Sequence, residues 1–79
     1  MNPDFLRIQR IFREVLEDDS LQLRPDHSQQ NLPEWDSLAQ VKIIIGLEEE
    51  FGIKFSIDEV AETKSVSGLL ALVQERSGH

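Results

Sequence analysis

Residues 35–51 read WDSLAQVKIIIGLEEEF. The spacing of their apolar residues predicts an α-helix that begins at Asp36 or Ser37 and ends just before Gly52. Gly52 suits the left-handed backbone conformation that closes many helices, and Ile53 after it can pack back on the last turn. The stretch therefore places a serine hydroxyl at the start of a helix, where unpaired amide groups and the helix dipole favour an anion such as a phosphodiester.

The predicted helix carries more apolar surface than one buried stripe needs. One row of its side chains comprises Leu38, Val41 and Ile45, and a second comprises Ile43, Ile44, Leu47 and Phe51. Two interpretations fit this pattern. The helix is either central and wrapped by its neighbours on most sides, or it leaves the first row partly exposed for contact with a partner. The rows alone do not decide between them.

The segment before residue 35 predicts one helix and a long loop. The helix runs from about Pro3 to Glu17, with Asn2 as its N-cap. Its buried stripe comprises Phe5, Ile8, Phe12, Val15 and Leu16. Three arginines lie off that stripe, and we interpret them as a solvated face: Arg7, Arg10 and Arg13. Residues 18–36 are rich in turn formers and predict a loop that packs across the bundle. Its aliphatic anchors are Leu21, Leu23 and Leu32.

Two shorter helices are predicted after Gly52. Ser56 and Glu59 form the S-x-x-E pattern of a capping box, which begins a short third helix that ends near Glu62. Ser65 is placed to cap a fourth helix. The apolar face of that helix comprises Val66, Leu69, Leu70 and Val73. No segment alternates long enough to predict a strand, so we expect an all-α bundle of three main helices and a short one, forming one domain over residues 1–79.

Size and charge narrow the function. The chain has 79 residues, no cysteine and a net charge of −7. Residues 26–62 contain nine acidic and two basic residues, so the whole excess of negative charge lies around the central helix. Such a field repels nucleic acid and anionic membranes and attracts basic protein surfaces. With no signal-peptide pattern at the N-terminus, we expect a cytoplasmic monomer with protein partners and no nucleic-acid or membrane partner.

The chain offers little for catalysis. A nucleophilic serine needs a base and a group that orients the base, and the only histidines are His27, in the predicted loop, and His79, in the tail. No histidine pair or EF-hand spacing predicts a metal site. The glutamates at 48–50 fan out around a helix, so one cation cannot bind all three. We therefore expect no enzyme and no resident metal, and Ser37 reacts only if another protein modifies it.

The run from Glu34 to Phe55 resembles the acyl carrier protein family. The resemblance rests on the site Asp36-Ser37-Leu38, the valine at 41, the segment LEEEFGI at 47–53 and the phenylalanine that follows. It extends through the helix lengths and the long first loop to essentially the whole chain. It implies the acyl carrier fold, a three-to-four-helix bundle.

The resemblance also implies roles for individual residues. Ser37 would accept 4′-phosphopantetheine from coenzyme A through a phosphopantetheinyl transferase, and Asp36 would orient the site and assist the metal of that transferase. The arm would carry acyl groups as thioesters to acyl-loading and acyl-processing enzymes. The implied docking residues are Leu38, Val41, Ile45, Glu48 and Glu49. We expect Glu48 to be an exposed charge whose reversal hardly alters stability.

In the family the acyl chain lies between the second and third helices. Four apolar residues of this chain fall near that position, and we interpret them as core residues in preference to contacts of an acyl chain: Ile45, Ile53, Ile57 and Val60. Two departures concern the pathway. Ala39 and Lys42 stand where carriers of fatty-acid synthesis usually have acids, and Trp35 stands where they have a small residue. Both favour a specialised pathway, such as polyketide or other secondary-metabolite assembly, over fatty acid biosynthesis.

Three alternatives remain open. The chain could carry aminoacyl groups, although peptidyl carriers more often have two glycines where this chain has Pro33-Glu34-Trp35. It could be an acidic helical interaction module without a prosthetic group. It could be a small serine esterase, which would turn over activated esters without modification.

Overall fold

The computed structural model describes residues 3–76. Within that range the chain forms four α-helices: α1 (Pro3–Val15), α2 (Ser37–Phe51), α3 (Ile57–Glu62) and α4 (Val66–Arg76). The same residues contain no strand, only an isolated antiparallel bridge between Ser28 and Ser65. The all-α prediction is confirmed. The predicted cap Asn2 and the terminal His79 lie outside the described residues.

Both long helices end in a left-handed residue. Gly52 has φ 65° and ψ 40° and closes α2 as predicted, with its amide donating to the carbonyl of Glu48. α1 ends at Val15, earlier than the predicted boundary, because Glu17 adopts a φ of 54°. The amide of Asp18 then donates to a carbonyl one turn back in the helix, at 3.0 Å. Glycine usually occupies such a left-handed position, so the glutamate here did not indicate the end of the helix.

The core lies where α1 meets α2 and α4. Its helical side chains are those of Ile8, Ile11, Phe12, Ala39, Ile43, Ile44, Leu47, Val66, Leu69 and Val73. The pattern of α1 did not predict burial of Ile11, which is only 5% exposed. Gly46 of α2 makes room for it, because a Cβ added there would lie 3.0 Å from Cγ2 of Ile11. Ile11 therefore packs against α2 at a position where that helix has no side chain.

The connection between α1 and α2 packs across the bundle as predicted. Leu23 and Leu32 are buried. The amide of Leu23 donates to Oε1 of Gln9 in α1 at 2.8 Å. Farther along the loop, the carbonyl of His27 accepts a hydrogen bond from the amide of Val66 at 2.9 Å. These bonds join the loop to the first and last helices.

The interpretation of the three arginines as a solvated face is only partly right, because Arg10 is exposed but all three also contact other segments. Arg7 and Arg10 both pair with the carboxylate of Glu50 at the end of α2, and the Nε of Arg7 lies 2.8 Å from Oε2. The guanidinium of Arg7 also lies 4.1 Å from the ring centroid of Phe51. Hydrogen bonding from Arg7 is the main reason that the pKa of Glu50 lies below its ordinary value. Arg13 donates from Nε to the carbonyl of Leu21 at 2.7 Å. All three join α1 to other segments.

The capping predictions for the shorter helices are confirmed. Ser56 and Glu59 form a reciprocal capping box at the start of α3. The hydroxyl of Ser65 accepts a hydrogen bond from the amide of Gly68 at 3.2 Å, which caps α4. Hydrogen bonding with the backbone of Ser56 is the first cause that holds the pKa of Glu59 below its ordinary value.

Candidate functional site

Asp36 and Ser37, at the start of α2, have different roles. Asp36 is the N-cap, and its Oδ1 accepts a hydrogen bond from the amide of Ala39 at 2.9 Å. Ser37 is the first helical residue and is exposed. No residue in the described range 3–76 forms a hydrogen bond with its hydroxyl. Because the aspartate satisfies the helix end, the serine hydroxyl is free for another use.

Trp35 fixes the chain immediately before this pair. Its indole is 1% exposed and packs edge-on against the ring of Phe12, with the two centroids 4.9 Å apart. The indole Nε1 donates to Oε1 of Gln40 at 2.6 Å. The residue that the sequence marked only as a departure from a family pattern is therefore the anchor of the site in the core.

Gln40 is a buried polar residue that the sequence analysis missed. It is 6% exposed, and its Nε2 donates to the carbonyls of Val60 at 3.3 Å and Thr63 at 3.1 Å. A signal was present, because Gln40 stands three, four and seven residues before three buried residues, Ile43, Ile44 and Leu47. That spacing places it on the buried stripe of α2.

The first apolar row of α2 faces outward. Leu38 is 64% exposed, Val41 is 53% exposed and Ile45 is 50% exposed. The buried stripe of the same helix lies on its other side. Exposed apolar side chains aligned on one helix form a patch that a partner can cover. Of the two interpretations of α2, the structure agrees with the one in which this row is exposed.

The assignment of four apolar residues to the core is only half right. Ile53 and Val60 are partly buried and pack against the core. Ile45 and Ile57 are not core residues, and Ile57 is 87% exposed. Ile57 is the first residue of α3, a helix in which no residue is buried. α3 has only six residues, and so short a helix does not bury the side chain of its first residue.

The three consecutive glutamates have three different environments. Glu49 is exposed, whereas Glu50 pairs with arginines of α1. Glu48 is half-buried, and its Oε2 accepts a hydrogen bond from the amide of Phe55 at 2.9 Å. The expectation that Glu48 is an exposed charge is therefore wrong, since its carboxylate supports the turn between α2 and α3.

This difference predicts unequal effects of charge reversal. We expect Glu48→Lys to lower the free energy of unfolding by about 1.5 kcal/mol, because an amide loses its charged acceptor. Glu49→Lys, the matched control one residue away, is expected to change it by less than about 0.5 kcal/mol. Urea denaturation followed by circular dichroism measures both. Equal losses in the two variants would contradict the role given to Glu48.

His27 does not serve Ser37 in this structure. Its Nδ1 accepts a hydrogen bond from the amide of Arg24 at 3.0 Å, within its own loop. Within residues 3–76, no base forms a hydrogen bond with the serine hydroxyl, and no group of three histidine, aspartate or glutamate side chains could hold a metal ion. None of the helices in that range is long and apolar enough to cross a membrane.

A family model described as a phosphopantetheine attachment site matches residues 6–73. Among solved structures, the chain is similar to the holo acyl carrier protein of Geobacter metallireducens, determined in solution by NMR. The identity is 35% and the TM-score is 0.84, over 95% of this chain and 86% of that one. A search of curated proteins gave no match.

The start of α2 has the features that a covalently attached phosphodiester requires. It offers an exposed hydroxyl that is not used as a cap, next to the N-terminal amides of a helix whose dipole favours an anion. The family match covers most of the chain, and the four helices and the long first loop agree with it. The chain therefore belongs to the acyl carrier protein family and carries covalently attached 4′-phosphopantetheine.

Proposed function

We propose that Ser37 is the attachment residue and that the chain presents acyl groups to biosynthetic enzymes without catalysing their reactions. The observation that carries this proposal is the uncommitted, exposed hydroxyl of Ser37 beside the capping carboxylate of Asp36. When bound, 4′-phosphopantetheine supplies a terminal thiol that holds acyl groups as thioesters. Tethering a substrate to a protein raises its effective concentration at each enzyme that the protein docks with.

Asp36 is suited to two simultaneous tasks. Its Oδ1 caps α2, while its Oδ2 forms no hydrogen bond with any residue of the described range. A carboxylate oxygen left free beside Ser37 is a suitable ligand for the magnesium of a phosphopantetheinyl transferase. We therefore assign Asp36 to orienting the site and to assisting that metal, with Leu38 flanking the serine on the exposed row.

Intact mass spectrometry tests the assignment. The purified chain is incubated with coenzyme A, magnesium and a broad-specificity phosphopantetheinyl transferase. The expected result is the addition of one phosphopantetheine. An unchanged mass would contradict the assignment of Ser37 as the attachment residue. If the loaded chain then accepts amino acids from an adenylating enzyme and acyl groups from no enzyme, the aminoacyl alternative replaces the proposal.

The docking surface proposed for partner enzymes is the exposed row of α2, Leu38, Val41 and Ile45, with Glu49 at its far end and Glu48 beside it. Its support is the exposure of the three apolar side chains and the negative charge concentrated in the same part of the chain. Apolar contacts at the centre of an interface with charges at its rim are the usual arrangement. Glu48 is less available than Glu49 for an ion pair with a partner, because one of its oxygens already accepts a backbone hydrogen bond.

Substitution of Val41 tests the docking surface. We expect Val41→Asp to lower kcat/KM for phosphopantetheine transfer roughly tenfold or more, because a charge at the centre of a docking patch must be desolvated. Ala61→Asp places the same charge on an exposed position of α3 and serves as the control. The assay follows incorporation of a fluorescent coenzyme A analogue. Equal rates for the two variants would show that Val41 is not part of the docking surface.

The preference for a specialised pathway rests on Lys42 alone. Ala39 is buried at 7% exposure, and Trp35 is explained by its packing in the core, so neither faces a partner. Lys42 is exposed on α2 and favours a partner with an acidic residue opposite it. The acyl group recovered from the chain isolated from its own cells would identify the pathway, and an ordinary fatty-acid intermediate would refute this preference.

A further inference from the structure

α3 has little apolar contact with the bundle, since Val60 is its one residue that packs against the core. None of its residues is buried. Its start is fixed by the capping box of Ser56 and Glu59, and Glu59 also pairs with Arg76 of α4. Helices with little buried apolar surface open at the lowest free-energy cost in a fold. Among the four helices in residues 3–76, α3 is therefore the one whose displacement would most easily expose the interior.

Gln40 secures the other end of α3. Its Nε2 donates to the carbonyls of Val60 and Thr63, at the last turn and the C-terminal cap of that helix. Its Oε1 accepts the hydrogen bond of the Trp35 indole, so both ends of the amide group are engaged. The orientation of the amide is set by a side chain that is itself fixed in the core, which makes this a rigid connection between α2 and α3.

This connection lies beside the attachment residue. Gln40 follows Ser37 by three residues and so lies one turn into the same helix. Ile43 and Leu47, which follow it on the buried stripe of α2, have no exposure. An alkyl chain that entered the bundle between α2 and α3 near Ser37 would separate Gln40 from its carbonyls and leave buried polar groups without partners. Buried polar groups that lose their hydrogen bonds oppose such an opening.

An apolar surface is available outside the same helix. Ile45 and Ile53 line a shallow groove at the end of α2, together with the charged residues Glu48, Glu49 and Lys54. Ile57 is 87% exposed at the start of α3. A short acyl group can contact such a surface without displacing a helix. A long alkyl chain would remain largely in water there, which is unfavourable in proportion to its exposed area.

We propose that Gln40 is a positioning residue that keeps α3 closed, so that this carrier holds its acyl group on the surface and suits short or polar acyl groups. The inference rests on the proposed attachment at Ser37. It assigns to Gln40 and Trp35 a part in cargo selection, in addition to their part in packing.

Thioester reactivity tests the location of the cargo. The chain is loaded with acetyl or octanoyl phosphopantetheine, and the cleavage of each thioester by hydroxylamine is followed by mass spectrometry. In the unmodified sequence we expect the two rates to agree within about twofold after correction for the same acyl pantetheines free in solution. In Gln40→Met, which keeps the volume and removes both donors, we expect octanoyl cleavage to slow roughly fivefold, because loss of two hydrogen bonds lets α3 open. Gln30→Ala, an exposed loop substitution, is the control.

Hydrogen exchange of the unloaded chain tests the connection independently of loading. The amides of Val60 and Thr63 donate to Ser56 and Glu59 within α3. We expect them to exchange roughly tenfold faster in Gln40→Met and Gln40→Ala, because α3 unfolds more often without its connection to α2, while amides of α1 change little. Protection of the octanoyl thioester in the unmodified sequence, or unchanged exchange at α3 in the folded variants, would overturn the proposal. Failure of Ser37 to accept any arm would refute the proposed function instead, and the exchange experiment would still decide the role of Gln40.

Discussion

Ser37→Ala is expected to abolish the addition of phosphopantetheine while leaving the fold intact. The substitution removes the one atom that accepts the group, so no residual modification is expected even at high transferase concentration. Stability should change by less than about 0.5 kcal/mol, because Asp36, not Ser37, caps α2. Intact mass after incubation with coenzyme A and the transferase gives the first result, and urea denaturation gives the second.

A second serine provides the control for this loss. Ser67 is exposed in the first turn of α4, much as Ser37 is in α2. Ser67→Ala should be modified at the rate of the unmodified sequence. Persistence of the mass increase in Ser37→Ala would show that another residue carries the arm. Loss of the mass increase in both variants would show that the assay reports folding or docking. The assay would then not identify Ser37 as the attachment residue.

The local features of the fold were predictable from sequence because each depends on residues close together in the chain. The end of α2 at Gly52 and the capping box of Ser56 and Glu59 are formed by hydrogen bonds within a few residues. The same holds for the cap of α4 by Ser65. Such features carry signatures in composition and spacing.

The features that sequence reasoning missed depend on residues far apart in the chain. Arg7 meets Glu50 across 43 positions, and no pattern within α1 distinguishes that pairing from an arginine in solvent. The bond from Phe55 to Glu48 depends on how the turn after α2 folds back. Gln40 is an intermediate case, because its position on the buried stripe was visible but its partners at the end of α3 were not.

The site itself was partly predictable. The position of Ser37 at the start of α2 followed from the helix pattern, and the exposure of the row that begins at Leu38 was one of two interpretations. The division of labour between Asp36 and Ser37 was not predictable, because either side chain can cap a helix. Only the backbone at the helix start decides which of them does so.

Removal of the Trp35 indole is expected to have the largest effect on stability. The side chain is 1% exposed, packs against Phe12 and donates to Gln40. Trp35→Ala should lower the free energy of unfolding by about 3–5 kcal/mol, because it leaves a cavity and leaves Oε1 of Gln40 without its donor. A domain of this size has little more than that in total, so we expect the variant to be largely unfolded at 25 °C by circular dichroism.

Two further variants separate packing from mere loss of an apolar side chain. Ile57→Ala removes a large side chain that is 87% exposed and should change stability by less than about 0.5 kcal/mol. Trp35→Phe keeps an aromatic ring and loses the indole donor. Its loss of stability should therefore lie between the losses of Ile57→Ala and Trp35→Ala. Because the indole fixes the residue before Asp36, the rate of phosphopantetheine addition to Trp35→Phe and Trp35→Ala should follow the folded fraction of each variant. A folded, fully modified Trp35→Ala would show that the anchor is dispensable for presenting Ser37.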